Sequence, residues 1–277
     1  MEMRPYWVVL IVAGAVAMLA MASLGCGQKT SVNGGGGGDA VCESGVCYPS
    51  AKGFAAKQMT RAEPAEMNTA ALLVLRRAGV KMQLLEARPG VKDLVPGARL
   101  MPAGAAAAEI RAALPDARAL YVTYCGSAKC GASGRLAARL RKLGYRNVIE
   151  FRQGWAGWSE YKAGKDPGEP EINAAALRAL MNSGEHMHIF DARTGKYDDG
   201  RRVPGAGNLS PMAKPEQVSQ VLHGKDDLIV TYCSSPKCPA SRALAASLRR
   251  MGYRNVIEYP QGIDGWTEAG YPVQKAR

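Results

Sequence analysis

The chain has 277 residues, room for two domains of about a hundred residues with separate cores. Apolar residues make up 47%, which is ordinary for a globular protein and excludes a disordered one. The net charge of +12 comes from 36 Lys and Arg against 24 Asp and Glu. Such a balance suits small anions or an anionic membrane. The basic residues run through both halves on amphipathic helices and no recognition-module signature accompanies them, so nucleic acid is set aside as a partner.

Residues 1–26 come first in chain order. A short start containing Arg4 precedes Trp7–Gly25, which carries no charge and is rich in Val, Ile, Ala, Leu and Met. That pattern reads as an export signal or a single membrane anchor. The Gly25-Cys26 ending resembles a bacterial lipoprotein signal, although Ser23 stands where the usual leucine would be. The resemblance implies lipidation at Cys26; an uncleaved helix is the alternative. Either way the remainder faces the periplasm or exterior, and Gly27 after Cys26 favours the outer membrane. Residues 27–60 form a glycine-rich tether. Within it Cys42 and Cys47 are a candidate disulfide in an oxidising compartment, and too few ligands lie nearby for a metal.

Residues 61–166 and 167–277 read as two domains because the chain repeats itself. Tyr121–Trp158 (YVTYCGSAKCGASGRLAARLRKLGYRNVIEFRQGWAGW) and Ile229–Trp266 (IVTYCSSPKCPASRALAASLRRMGYRNVIEYPQGIDGW) agree at 25 of 38 positions. Upstream, Leu85-Glu86-Ala87-Arg88 matches Phe190-Asp191-Ala192-Arg193, and Val95-Pro96-Gly97 matches Val203-Pro204-Gly205. The second copy carries three extra residues between those two matches.

Each copy predicts the same elements. A helix at Thr69–Gly79 or Ala174–Ser183 leads to a strand at Met82–Glu86 or His188–Asp191. After a Pro-Gly loop and a second helix comes a strand at Ala119–Tyr124 or Leu228–Tyr232. A cysteine-bearing loop then enters a helix with Leu136, Leu140 and Leu143, or Leu244, Leu248 and Met251, on one face. The last strand, Val148–Phe151 or Val256–Tyr259, runs into a Gly/Trp segment. Alternating strands and helices predict an α/β fold with a small, mainly parallel sheet flanked by helices in each domain. His186, His188 and His223 have no counterparts in the first copy and are read as ordinary surface or strand residues.

The chemistry falls at the strand-to-helix loop. Cys125 and Cys233 each follow a strand, with Cys130 and Cys238 five residues on. Ser133 and Ser241 are expected to cap the helix. Small residues at a helix N-terminus converge backbone N–H groups, which attract anions and stabilise a thiolate. Lys129 and Lys237 add positive charge.

The sequence Tyr-Cys, short loop, Ser, helix, Gly-Tyr-x-x-Val, Gly and Trp, with Asp191-x-Arg193 and Pro204-Gly205-Ala206 upstream, resembles the rhodanese family. The resemblance implies a sulfurtransferase, with Cys125 and Cys233 as nucleophiles. A small anionic donor such as thiosulfate would give sulfane sulfur to the cysteine, and a thiol or cyanide-like acceptor would take it from the persulfide. No cofactor is implied. The family's arginine five residues after the nucleophile is replaced by Cys130 and Cys238, which are candidate resolving or redox cysteines. The alternatives are a non-catalytic lipoprotein scaffold within an envelope complex, and a dithiol/disulfide redox protein.

Overall fold

A computed structural model describes residues 40–43, 46–49 and 63–276. Cys26 and the expected signal or anchor lie outside them, as does most of the tether. Strands β1 (Ala40–Glu43) and β2 (Val46–Pro49) pair antiparallel, with Cys42 opposite Cys47 in register. The expected disulfide concerns side chains outside those described. Among the described residues no helix is long and apolar enough to cross a membrane.

The first repeat runs β3 (Glu66–Met67), α1 (Thr69–Arg77), β4 (Met82–Glu86), β5 (Arg99–Leu100), α2 (Ala107–Ala113), β6 (Leu120–Tyr124), α3 (Ala132–Lys142), β7 (Val148–Phe151) and α4 (Gly154–Lys162). The second runs α5 (Ala174–Asn182), β8 (His188–Asp191), β9 (Arg201–Arg202), β10 (Gly207–Asn208), α6 (Pro215–Ser219), β11 (Ile229–Tyr232), α7 (Ala240–Arg250), β12 (Val256–Tyr259), α8 (Gly262–Glu268) and β13 (Gln274–Lys275).

The first sheet has the order β3-β7-β6-β4-β5 and the second β10-β8-β11-β12. Every pairing within these two sheets is parallel. The counterpart of β3 in the second repeat is a single parallel bridge, Glu171 to Glu258. Strands β6 and β11 occupy interior positions and are buried throughout, as strands covered by helices on both faces must be. The α/β architecture with a parallel sheet and flanking helices in each repeat is therefore as the alternation predicts.

One core passes through both repeats. Leu72 and Leu75 of α1 lie in the same buried cluster as Leu177 and Leu180 of α5, together with Trp158 and Trp266. A fully buried leucine contributes roughly 1.5–3 kcal/mol. The rim of this contact is a reciprocal exchange of asparagines. Asn68 caps α1 by accepting from the Ala71 N–H at 2.8 Å, and its amide donates to the Glu169 carbonyl across the interface at 2.7 Å. Asn173 caps α5 by accepting from Ala176 at 3.0 Å and donates to the Pro64 carbonyl at 2.6 Å.

The three-residue insertion of the second repeat folds as a single 3-10 turn at Gly195–Tyr197 followed by Asp198 and Asp199. Strand β9, just beyond it, pairs antiparallel with β13.

Candidate functional site

Both cysteine loops sit where a buried strand ends and a helix begins. Strand β6 delivers Cys125 to the carboxyl edge of the first sheet, and β11 delivers Cys233 to the same place in the second. Behind each loop a second helix closes in. The N–H groups of Trp155 and Ala156, at the start of α4, donate to the carbonyls of Cys125 (2.7 Å) and Gly126 (2.9 Å). Ile263 and Asp264 of α8 donate to Cys233 and Ser234, both at 2.9 Å. This approach requires glycine at Gly154 (φ +57°) and Gly262 (φ +64°), since a Cβ there would collide with the Cys125 or Cys233 carbonyl oxygen.

In the first repeat both loop thiols are free. The Cys125 side chain is buried, and carbonyl oxygens surround its sulfur: Cys130 O at 2.9 Å and Ser127 O at 3.8 Å. The Ser133 hydroxyl lies 3.3 Å away. That hydroxyl donates to Glu150 Oε1 at 2.7 Å, so it offers Cys125 a lone pair. Burial, then the hydrogen bond to Cys130, push the Cys125 thiol above its ordinary range, against the pull of the Ser133 backbone N–H. Cys130 is half-buried and its thiol lies below the ordinary range. Desolvation alone would raise it; the hydrogen bond from Cys125, the N–H groups of Ala132 and Gly126 and the nearby Arg88 guanidinium outweigh that.

Arg88 forms a forked ion pair with Glu86, with Nε and Nη2 each at 2.9 Å from a carboxylate oxygen. It also lies against Gly126 of the cysteine loop, where an added Cβ would be 3.4 Å from its Nη1. Arg135, on the first turns of α3, is exposed. It lines an open, mostly apolar cleft of about 540 Å³ with Ala87, Pro89, Pro102, Ala103, Gly104 and Ala132. Lys129 is exposed on the loop, as is Lys237 on the other.

In the second repeat Cys233 and Cys238 form a disulfide, with Cα atoms 6.2 Å apart. Ser241 donates to Glu258 at 2.8 Å, matching Ser133 and Glu150. Here Arg242 also reaches Glu258, at 3.2 Å, where the first repeat has Gly134.

The expected caps are corrected. The N-cap positions of α3 and α7 are Gly131 and Pro239, neither with a side-chain cap bond. Ser133 and Ser241 lie inside the first turn, buried, and spend their hydroxyl protons on Glu150 and Glu258. These two glutamates escaped the sequence reading. Each stands in a strand of otherwise apolar residues, Val-Ile-Glu-Phe and Val-Ile-Glu-Tyr, and that placement was the available signal. Arg88 and Arg193 form ion pairs with Glu86 and Asp191.

A model of the rhodanese-like domain matches residues 69–161 and again 173–269. The chain belongs to the rhodanese-like family. Among curated proteins, this rhodanese-like chain is 26% identical over 98 residues to a putative sulfur carrier protein, YrkF, of Bacillus subtilis (strain 168). The match covers 35% of this chain and 51% of that protein, so the chain spans about half the length of the curated relative it matches. Among solved structures, it is similar to a thiosulfate sulfurtransferase from Pseudomonas aeruginosa, at 19% identity and a TM-score of 0.34, over 75% of this chain and 42% of the other. It is also similar to an anaerobic ergothioneine biosynthesis enzyme from Chlorobium limicola, at 18% identity and a TM-score of 0.33, over 77% and 63%.

Proposed function

We propose that this rhodanese-like chain is a sulfurtransferase that carries sulfane sulfur as a cysteine persulfide on the loop dithiol of its first repeat. The observation that carries this reading is the pair of free thiols at the strand-to-helix loop, faced by the N–H groups of Gly126 and Ala132 and by Arg88. A thiolate held there attacks the outer sulfur of a small anionic donor such as thiosulfate. The sulfur–sulfur bond breaks, sulfite leaves with the electron pair, and the anionic persulfide inherits the same donors. A thiol or cyanide-like acceptor then takes the outer sulfur and restores the thiolate.

The intact mass of reduced protein after thiosulfate treatment tests this. One added sulfur atom, removed again by cyanide as thiocyanate, supports it. No mass gain with thiosulfate or with an organic persulfide donor refutes it.

A second reading, a dithiol/disulfide redox protein, is favoured by the Cys233–Cys238 disulfide. It requires that the oxidation state of the loops change reversibly with no sulfur turnover. The envelope location, with anchoring through Cys26 and a nearby protein partner, belongs to the same proposal. Cys26→Ser should release the protein from membranes or block its processing; soluble wild-type protein with an intact Met1 would remove that part of the reading.

A further inference from the structure

Beneath the first cysteine loop three side chains are joined in a row. The Cys125 sulfur lies 3.3 Å from the Ser133 hydroxyl oxygen, and that hydroxyl donates to Glu150 Oε1 at 2.7 Å. All three are buried, Cys125 and Ser133 at 1% exposure and Glu150 at 7%. We propose that this row is a proton relay: Ser133 receives the thiol proton of Cys125 and passes its own to Glu150, which turns Cys125 into the nucleophile. This rests on the sulfur-transfer reading and supplies the step that precedes the attack.

A base is needed because the sulfur is enclosed. The carbonyl oxygens of Cys130 at 2.9 Å and Ser127 at 3.8 Å face it, and such acceptors favour S–H over a thiolate. The direction of Ser133 is fixed: with its proton on Glu150, a lone pair is left for the thiol. The carboxylate is open to that proton. Among the described residues Ser133 is its hydrogen-bond partner, and no cation reaches it within ion-pair distance. Burying a carboxylate without a cation costs free energy, and packing alone would favour another apolar side chain in Val148–Phe151.

The second repeat supplies the contrast. Ser241 keeps the bond to Glu258 at 2.8 Å, but Arg242 pairs with the same carboxylate at 3.2 Å. An arginine favours the charged form of a carboxylate and opposes the arrival of a proton. Gly134 stands at the matching position of the first repeat and leaves Glu150 Oε2 uncovered; a Cβ there would come within 3.4 Å of it. The relay is therefore assigned to the first repeat, whose loop thiols are free.

The step balances. Cys125 thiol, Glu150 carboxylate and thiosulfate become Cys125 persulfide anion, Glu150 carboxylic acid and sulfite. A bond forms between Cys125 Sγ and the outer sulfur of thiosulfate; the old sulfur–sulfur bond breaks and its electron pair leaves with sulfite. When an acceptor takes the outer sulfur, Glu150 returns the proton through Ser133 to the Cys125 thiolate. Ser133 touches the reacting sulfur; Glu150 acts through it, as a positioning residue that also holds the proton.

The test uses the reduced full chain. Sulfur uptake from thiosulfate is followed by intact mass and alkylation of Cys125 by iodoacetamide by peptide mapping, each across the pH range in which thiols titrate. Glu150→Gln, close in shape, should slow both by roughly a hundredfold at about pH 7, with the deficit closing as the pH rises and thiolate forms unaided. Glu150→Asp should recover part of the loss. Gly134→Arg, which copies the second repeat and keeps every buried residue, should slow both about tenfold. The other charged groups nearby are Cys130 on the loop, Arg88 paired with Glu86, Arg141 on α3, and Glu66, the register partner of Glu150, paired with Arg152. They are the same in every variant, so differences between profiles report Glu150. Equal rates, a loss uniform across pH, or a faster Glu150→Gln protein at neutral pH would overturn the relay; the last would mean that the carboxylate only repels the thiolate. If wild-type protein takes up no sulfur while Cys125 alkylation keeps this dependence on Glu150, the transfer reading fails and the relay stands.

Discussion

The two cysteine loops share their sequence pattern and differ in chemical state, and the matching arginines of the two repeats differ in their partners. In the first repeat, Arg88 pairs with Glu86, alone among the described residues, keeps 28% of its side chain exposed and lies against the reduced cysteine loop. In the second, the three extra residues bring Asp198 and Asp199 close. Arg193 is 2% exposed, forked onto Asp191, bonded to Asp199 at 2.8 Å and to the Arg201 carbonyl at 2.5 Å. Arg202 adds a second cation against Asp191 at 3.3 Å and is itself paired with Asp198. The arginine that supports thiolate character in one repeat is consumed by structure in the other. A duplicated site can thus lose a chemical group without losing the residue.

The comparison breaks most visibly at the thiols. Without added reductant, replacing both Cys125 and Cys130 by Ser should cut sulfur transfer by about two orders of magnitude, whereas replacing Cys233 and Cys238 should change it about twofold or less. A thiosulfate–cyanide assay on the two double variants decides it; equal losses would place the chemistry in both loops.

The arginines supply the next contrast. Asp191→Ala removes the fully buried carboxylate that two buried guanidiniums share and should cost about 3–5 kcal/mol. Glu86→Ala should cost about half of that or less, because Arg88 reaches solvent. Urea unfolding of each variant measures both, and equal costs would mean that the insertion does not distinguish the repeats.

Gly154→Ala and Gly262→Ala should each destabilise by roughly 2–3 kcal/mol, combining a strained backbone with a collision against the cysteine carbonyl. Matched thermal shifts would confirm that α4 and α8 close on their loops alike. The smallest effect is electrostatic. The hydrogen bond from Arg202 holds the Asp198 carboxyl below its ordinary range. A depressed carboxyl contributes its stability in full above the unfolded value of about 4 and loses it as the pH falls through the folded one. Asp198→Asn should therefore lower stability by about 0.5 kcal/mol at neutral pH and flatten its decline below about pH 4. An unchanged acid profile would show that the pair is too well screened to matter.

Much of the fold was legible because its signals are local. The strands at Met82–Glu86, His188–Asp191, Val148–Phe151 and Val256–Tyr259 fall where apolar content and flanking glycines put them. The helix starts at Thr69 and Ala174 follow from asparagine caps. The site was legible only as a location. That Ser133 would turn inward to Glu150, 17 residues on, depends on which face of β7 meets α3. That Cys125 would be enclosed and Cys130 half open depends on α4 closing over the loop, a contact made through backbone N–H groups that no side chain advertises. Likewise the insertion could be counted from the sequence, but its capture of Arg193 and Arg202 is a matter of three dimensions.

The exchange between Asn68 and Asn173 has a further meaning. Each asparagine binds the segment just ahead of the other's helix, so the contact between repeats is self-complementary in the manner of a twofold dimer. A chain with one repeat would need to find a second copy at whatever concentration it is made. Here the short connection between α4 and α5 supplies the partner at an effective concentration on the order of millimolar. The duplication therefore makes a dimer's assembly independent of expression level, and it frees the two halves to diverge, which identical subunits cannot do.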